Sequence, residues 1–164
     1  MNVLSGYEVR NAEPADWQRV IDVLVDWWGG RDLSGLLPRL FFQHFCDTSF
    51  VVEREAELAA FLVGFLCPTH DGEAYIHFVG VDPSLRGTGI ARALYERFFD
   101  LARARGRSVV RAVTSPVNKA SVTFHLALGF AIVAGDGEID GVPVWLLDYD
   151  GPGEHRVCFE YHLG

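Results

Sequence analysis

Apolar positions along the chain change period several times, and each change marks an element. Residues 7–10 alternate as a short first strand. Trp17, Val20, Ile21, Leu24 and Trp28 then recur at helical spacing, with Pro14 suited to the first turn and Gly29-Gly30 as the stop. A second helical stretch, rich in aromatics, is predicted for about 36–45. Residues 50–53 and 58–67 read as a hairpin with Glu55 in its turn, and 74–81 as a third long strand of the same meander. Beyond Asp82-Pro83 a glycine-rich turn opens a helix with Ile90, Leu94, Phe98, Leu101 and Ala102 on one face, closed by Gly106. A strand at 108–113, a short helix at 118–128 ended by Gly129 and a strand at 130–134 follow. After a polar turn at 135–141 come closing strands at 142–147 and 157–163. No repeat, linker or low-complexity tract interrupts the order, so residues 1–164 are expected to form one mixed α/β domain.

Composition narrows the class. The longest apolar run, 58–67, is half of the ~20 residues a membrane-spanning helix needs, and is better read as a buried strand. Residues 1–5 show no basic stretch leading into an apolar one, so no secretory signal is expected and the cytoplasm is the expected compartment. Cys46, Cys67 and Cys158 are odd in number and widely spaced, which argues for buried reduced thiols and against a disulfide framework or a zinc cluster. The His residues show no ligand spacing, and no metal is expected.

A net charge of −8 disfavours a nucleic-acid partner, which would need clustered Lys and Arg. The charge is uneven, however. Residues 86–119 hold eight of the fourteen basic residues and two acids, while 131–155 hold six acids and no Lys or Arg. A solvated basic helix beside an acidic loop is the plain reading. An anionic ligand near the first segment and a cationic one near the second is the functional reading.

The stretch from Val79 to Ala91 carries the most chemistry. A strand runs into a turn with two glycines, Arg86-Gly87-Thr88-Gly89-Ile90-Ala91, and a helix begins there. Such a turn leaves backbone N–H groups unpaired and aimed at one point, with the positive end of the helix dipole behind them. Glycine admits close approach of a ligand, and Arg86 adds a fork of donors for phosphate oxygens. The arrangement suits a diphosphate. A P-loop would end in Gly-Lys-Ser/Thr, where this chain has Gly89-Ile90-Ala91. A dinucleotide fold would place a third glycine where Arg92 stands and an acid ~20 residues on, where 109–113 has none.

A second block, Asn118 to Phe130, places Asn118, Ser121 and His125 within one ~60° sector of a helix, ahead of Gly129-Phe130. That polar stripe is compatible with a solvent face, and Asn118 with a plain helix N-cap. The two blocks together, however, resemble the GNAT superfamily of N-acetyltransferases. The glycine turn matches its Arg/Gln-x-x-Gly-x-Gly/Ala pattern at Arg86, Gly89 and Ala91, with Val81 and Pro83 in place before it. The resemblance covers about 50–134 well and the remainder in outline.

The resemblance implies a mixed central sheet with splayed strands flanked by helices, and acetyl-CoA as co-substrate. Its pyrophosphate would sit on Arg86, Gly87, Thr88, Gly89, Ile90 and Ala91. Pantetheine would meet main-chain groups of Val79 and Val81, together with Asn118 and Ser121. A small-molecule amine would attack the thioester directly. Many members place a Tyr to protonate the departing thiolate; here His125 holds that position, with simple packing as its alternative role. Tyr75, His77, Val79 and Val81 alternate along one strand face by spacing, with Glu73 at its start. His77 is the first choice for the base and Tyr75 the second. The acceptor pocket is expected between 26–33, around Trp27 and Trp28, and the acidic 136–150 region. A non-catalytic acyl-CoA binder and a peptide acetyltransferase are the alternatives. The closing strands and Gly151-Pro152-Gly153 offer a homodimer surface, although apolar strands are equally expected in a monomer core.

Overall fold

The apolar run near residue 60 organises the molecule. In the computed structural model, which describes residues 2–139 and 142–164, it forms β3 (Glu57–Leu66). Its neighbours are β2 (Phe50–Arg54) and β4 (Glu73–Val81), both antiparallel to it, as the meander predicts. Ala60 and Leu62 face one core and Phe61 and Val63 another, so β3 is buried on both sides and needs no polar alternation.

The remaining elements are β1 (Glu8–Asn11), α1 (Asp16–Trp27), α2 (Leu40–His44), α3 (Ile90–Ala104), β5 (Val109–Thr114), α4 (Lys119–Leu128), β6 (Ala131–Ile132), β7 (Gly137–Ile139), β8 (Val142–Trp145) and β9 (Val157–His162). Seven strands form one mixed sheet in the order β1-β2-β3-β4-β5-β9-β6. α3 contributes Leu94 and Phe98 to the core on one face, and α1 contributes Val20 and Leu24 to that on the other. Among the described residues no helix is long and apolar enough to cross a membrane.

Two features open the sheet where the site lies. β4 and β5 run parallel, but only 73–75 pair with 109–111, leaving the rest of β4 without a neighbour on that side. β4 is also bulged: Val63 pairs with Phe78 and Gly64 with Ile76, so His77 is the extra residue. A bulge bends its strand and reverses the alternation beyond it. Ala74, Ile76, Val79 and Val81 accordingly all pack towards the α3 core, while Phe78 joins the α1 core. The expected common face for Tyr75, His77, Val79 and Val81 is therefore corrected. Tyr75 stacks on Phe65 and His77 on Phe41, on the other side of the sheet from Val79 and Val81.

Other expectations shift locally. The second helix shrinks to α2 because Pro38 separates it from a single 3-10 turn at Ser34–Leu36. Pro14 lies just ahead of α1, whose first residue, Asp16, accepts from the Glu13 amide at 2.7 Å. The polar 135–141 segment contains β7, which pairs with β8 in a separate hairpin, so the expected closing strand at 142–147 does not join the main sheet. β9 inserts between β5 and β6. The cysteines carry free thiols, but they are half-buried rather than enclosed.

Candidate functional site

The β4–α3 turn takes the form its glycines allow. Gly87 and Gly89 both adopt left-handed backbone, at φ 77° and 93°, and a Cβ on Gly89 would stand 3.3 Å from Val3. Asp82 Oδ1 accepts from the Ser84 amide at 2.8 Å, and the Thr88 hydroxyl donates to the Leu85 carbonyl at 2.6 Å, tying down the turn. The amides of residues 87–92 have no acceptor among the described residues. Six successive donors thus converge at the N-terminus of the 15-residue α3, a ready site for an anion. Arg86 differs from expectation: its guanidinium donates to the Trp27 carbonyl, at the C-terminal end of α1. There it anchors α1 to the turn, so its guanidinium is not the free anion donor expected.

The same end of β4 supplies free main-chain groups. The Asp82 amide donates to the Ala59 carbonyl at 2.9 Å, which fixes the hydrogen-bonding phase of the β3–β4 ladder. Gly80 must then point its amide and carbonyl to β3, and Val79 and Val81 theirs to the unpaired side facing β5. A cleft of about 340 Å³ opens from this gap.

Asn118, Ser121 and His125 all line that cleft, so the helix face read from their spacing is real. Asn118 is the N-cap of α4, its Oδ1 accepting from the Ser121 amide at 3.1 Å, which leaves its Nδ2 donor for another partner. His125 is 5% exposed and stacks on Phe159. Its Nδ1 lies 2.7 Å from the Ser121 carbonyl and its Nε2 3.0 Å from the Tyr95 hydroxyl. Burial pushes the imidazole pKa below its usual value, partly offset by the Ser121 bond, so the ring is neutral at pH 7.

The second imidazole, His77, enters from the opposite wall, re-aimed by the bulge. Its Nε2 donates to the Leu36 carbonyl at 2.5 Å, and its Nδ1 finds no partner among the described residues. Burial lowers its pKa as well, against a smaller opposing effect of the Leu36 bond. A half-buried, neutral imidazole with one unused lone pair can act as a base. Tyr75 does not line the cleft, and burial pushes its phenol well above the usual range. Glu73 is paired with Arg111 at 2.9 Å. Of the three polar residues on this strand, only His77 reaches the cleft.

At the mouth stand Trp28, Arg31, Asp150, Glu154 and Arg156. Trp28 sits where the sequence placed it, but Trp27 is core, 7% exposed and stacked on Phe61. Asp150 and Arg156 form an ion pair at 2.7 Å, so the mouth carries both signs rather than the acidic lining expected. Asp136 instead accepts from the Leu147 amide, and Asp140 lies outside the described residues. The arginines of 86–119 are engaged by the protein's own oxygens and rings, for example Arg111 with Glu73 and Glu160 and Arg97 over Phe50, so they do not form a free basic patch. The sequence alone singled out neither Tyr95 nor Arg156, and included Arg31 only as part of the 26–33 segment. Only Tyr95 left a signal, a hydroxyl on the otherwise apolar face of α3.

Comparison with known proteins gives a consistent picture. Residues 17–130 match the family model described as the acetyltransferase (GNAT) family. Over 79 residues, 48% of the chain, it is 30% identical to L-2,4-diaminobutyric acid acetyltransferase of Halalkalibacterium halodurans. That alignment spans 42% of the relative's length. Ard1 from Thermoplasma volcanium superposes with a TM-score of 0.77 at 20% identity, covering 96% of this chain and 97% of that one. The diaminobutyrate acetyltransferase EctA from Paenibacillus lautus, solved with L-2,4-diaminobutyric acid and coenzyme A, superposes at 0.70 and 21% identity, covering 96% of each chain. At such identities the superpositions speak for the fold.

Proposed function

The chain belongs to the acetyltransferase (GNAT) family, and from that premise we propose that it transfers an acetyl group from acetyl-CoA to a primary amine of a small molecule. The observation that carries the reading is the run of unpartnered amides at 87–92, at the end of β4 where that strand has parted from β5. Six N–H groups at a helix N-terminus match a pyrophosphate in charge and geometry. The free main-chain groups of Val79 and Val81 suit the amides of the pantetheine arm, with the Asn118 Nδ2 and Ser121 beside them. The thioester then lies between His125 and His77. His77 Nδ1 takes the proton of the incoming amine, while a main-chain N–H of the open strand stabilises the tetrahedral oxyanion.

The mouth supports an acceptor that carries both charges. The Arg31 guanidinium makes no hydrogen bond or ion pair among the described residues and suits a carboxylate, while Asp150 and Glu154 suit an ammonium group. An amino acid with a side-chain amine has this pattern, and L-2,4-diaminobutyric acid, named for the relatives, is the first compound to try. Thiol release from acetyl-CoA across a panel of amines tests the proposal. Turnover is expected with diamino acids and to fall at least ~10-fold in Arg31→Ala through KM, as loss of a charge-assisted hydrogen bond implies. No turnover with any amine, despite acetyl-CoA binding, would leave a non-catalytic binder.

A further inference from the structure

Two side chains at the floor of the cleft are joined, although the scheme above uses only one of them. His125 Nδ1 lies 2.7 Å from the Ser121 carbonyl, and Tyr95 Oη lies 3.0 Å from His125 Nε2. A carbonyl only accepts, so the ring proton sits on Nδ1 and is spent on that bond. In a neutral imidazole Nε2 is then a bare lone pair, and the hydrogen between the two rings belongs to the phenol. The neutral His125 holds no proton towards the cleft. Tyr95 does.

We propose that Tyr95, on α3, receives the departing thiolate of the acyl donor, with His125 as the acceptor that holds its hydroxyl hydrogen until the sulfur leaves. The inference rests on the acyl-transfer reading above. As the tetrahedral intermediate collapses, the C–S bond breaks and its electron pair stays on sulfur. The phenolic hydrogen swings from His125 Nε2 to the sulfur, and the O–H bond stays intact. The proton lost by the attacking nitrogen goes to His77 and on to solvent, and the released thiolate takes its proton from water.

Three observations favour this geometry. Tyr95 and His125 both line the cleft, on the wall where Asn118 and Ser121 also stand. The Tyr95 ring is held edge-on by Phe99, Phe124 and Phe130, so the hydroxyl can turn while the ring stays in place. Full burial raises the phenol well above its ordinary pKa, which keeps the hydrogen on oxygen and makes Tyr95 a hydrogen-bond donor rather than an acid. The swing is favourable, because a hydrogen bond to an anion is roughly twice as strong as one between neutral groups. In this chain, α3 supplies the phenol that the resemblance leads one to expect on α4 at residue 125.

The test is the thiol titration of coenzyme A bound to the protein, followed by thiolate absorbance, in the wild type and in Tyr95→Phe. Binding of coenzyme A is measured first. The remaining charged groups at the cleft, Arg31, Asp150, Glu154 and Arg156, are common to both proteins, as is His77. The bound thiol is expected to titrate about one unit lower in the wild type than in Tyr95→Phe. In turnover, Tyr95→Phe is expected to lose about 10²-fold in kcat with little change in KM for acetyl-CoA. Equal thiol titrations in two proteins that both bind coenzyme A would overturn the proposal. Should Tyr95→Phe not fold, the wild type decides alone: a bound thiol titrating below free coenzyme A supports the role, and one at or above it does not. A wild type that binds no coenzyme A would instead remove the acyl-transfer reading itself.

Discussion

His77, half-buried, and His125, buried, are both neutral and anchored by a backbone carbonyl, yet the second nitrogen of each ring has a different fate. In His77 it is left without a partner; in His125 it accepts from Tyr95. That difference is the ground for proposing His77 as the base. His77→Ala is expected to lower kcat about 10²-fold or more while leaving acetyl-CoA binding intact. The pH profile follows from the depressed pKa of His77. The neutral, basic form persists below the ordinary imidazole value near ~6.5, so kcat/KM should stay level through neutrality and decline only on the acid side of that value. An acid limb centred at or above ~6.5 in the wild type, or an unchanged kcat in His77→Ala, would show that another group takes the proton.

At the scale of elements, α4 carries one residue with a role in the fold and a second, proposed role in the site. Asn118 caps the helix through Oδ1 and keeps Nδ2 free, so the two roles can be separated. Asn118→Asp retains an accepting oxygen and should leave stability nearly unchanged, while weakening acetyl-CoA binding through loss of the amide donor. Asn118→Ala should lose both, including about 1 kcal/mol of stability in a denaturant titration. Equal acetyl-CoA affinity in wild type and Asn118→Asp would mean that the residue is a cap alone. This helix was legible in the sequence because its spacing, cap and Gly129 terminator are all local signals. So was the β4–α3 turn, whose two glycines at positive φ are the residues that conformation requires. β4 was legible only as a strand. Its bulge at His77 depends on the partner strand, where Gly64 sits so close to Phe98 that an added Cβ would come within 2.5 Å of the ring. Strict alternation therefore put Tyr75 and His77 on the face of Val79 and Val81, and the long-range pairing moved them off it. The insertion of β9 between β5 and β6 is likewise non-local, with no periodicity to announce it.

At the scale of the whole molecule, polar groups are buried where they join elements. Asp16 is 2% exposed and is held by Arg10 at 2.8 Å and Arg19 at 3.1 Å, and Glu53 bonds the same two arginines, linking β1, α1 and β2. Burial raises the Asp16 pKa, but the two guanidiniums and the Glu13 amide outweigh it, and the net shift is downward. Asp16→Asn is expected to destabilise by about 3 kcal/mol, since it removes one charge from a buried network. The pH dependence of stability has two stages. The imidazoles of His77 and His125 resist protonation when folded, so stability is complete above the unfolded value near ~6.5 and declines as pH falls below it. The depressed carboxylates of Asp16 and Glu53 add a further loss as pH falls below their unfolded values near ~4. Thermal unfolding between pH 8 and pH 3 should show both stages, the first reduced in His125→Gln.

The proposed donor site joins these scales, because it needs the glycine turn, the N-terminus of α3 and the opening of the sheet together. Calorimetric titration with acetyl-CoA tests it most directly, with Gly89→Glu as the partner measurement, since Gly89 is left-handed and lies among the unpartnered amides. Saturable binding at one site per chain is expected in the wild type, and none in a Gly89→Glu protein that still melts cooperatively. Absence of binding in the wild type, or undiminished binding in the folded variant, would contradict it.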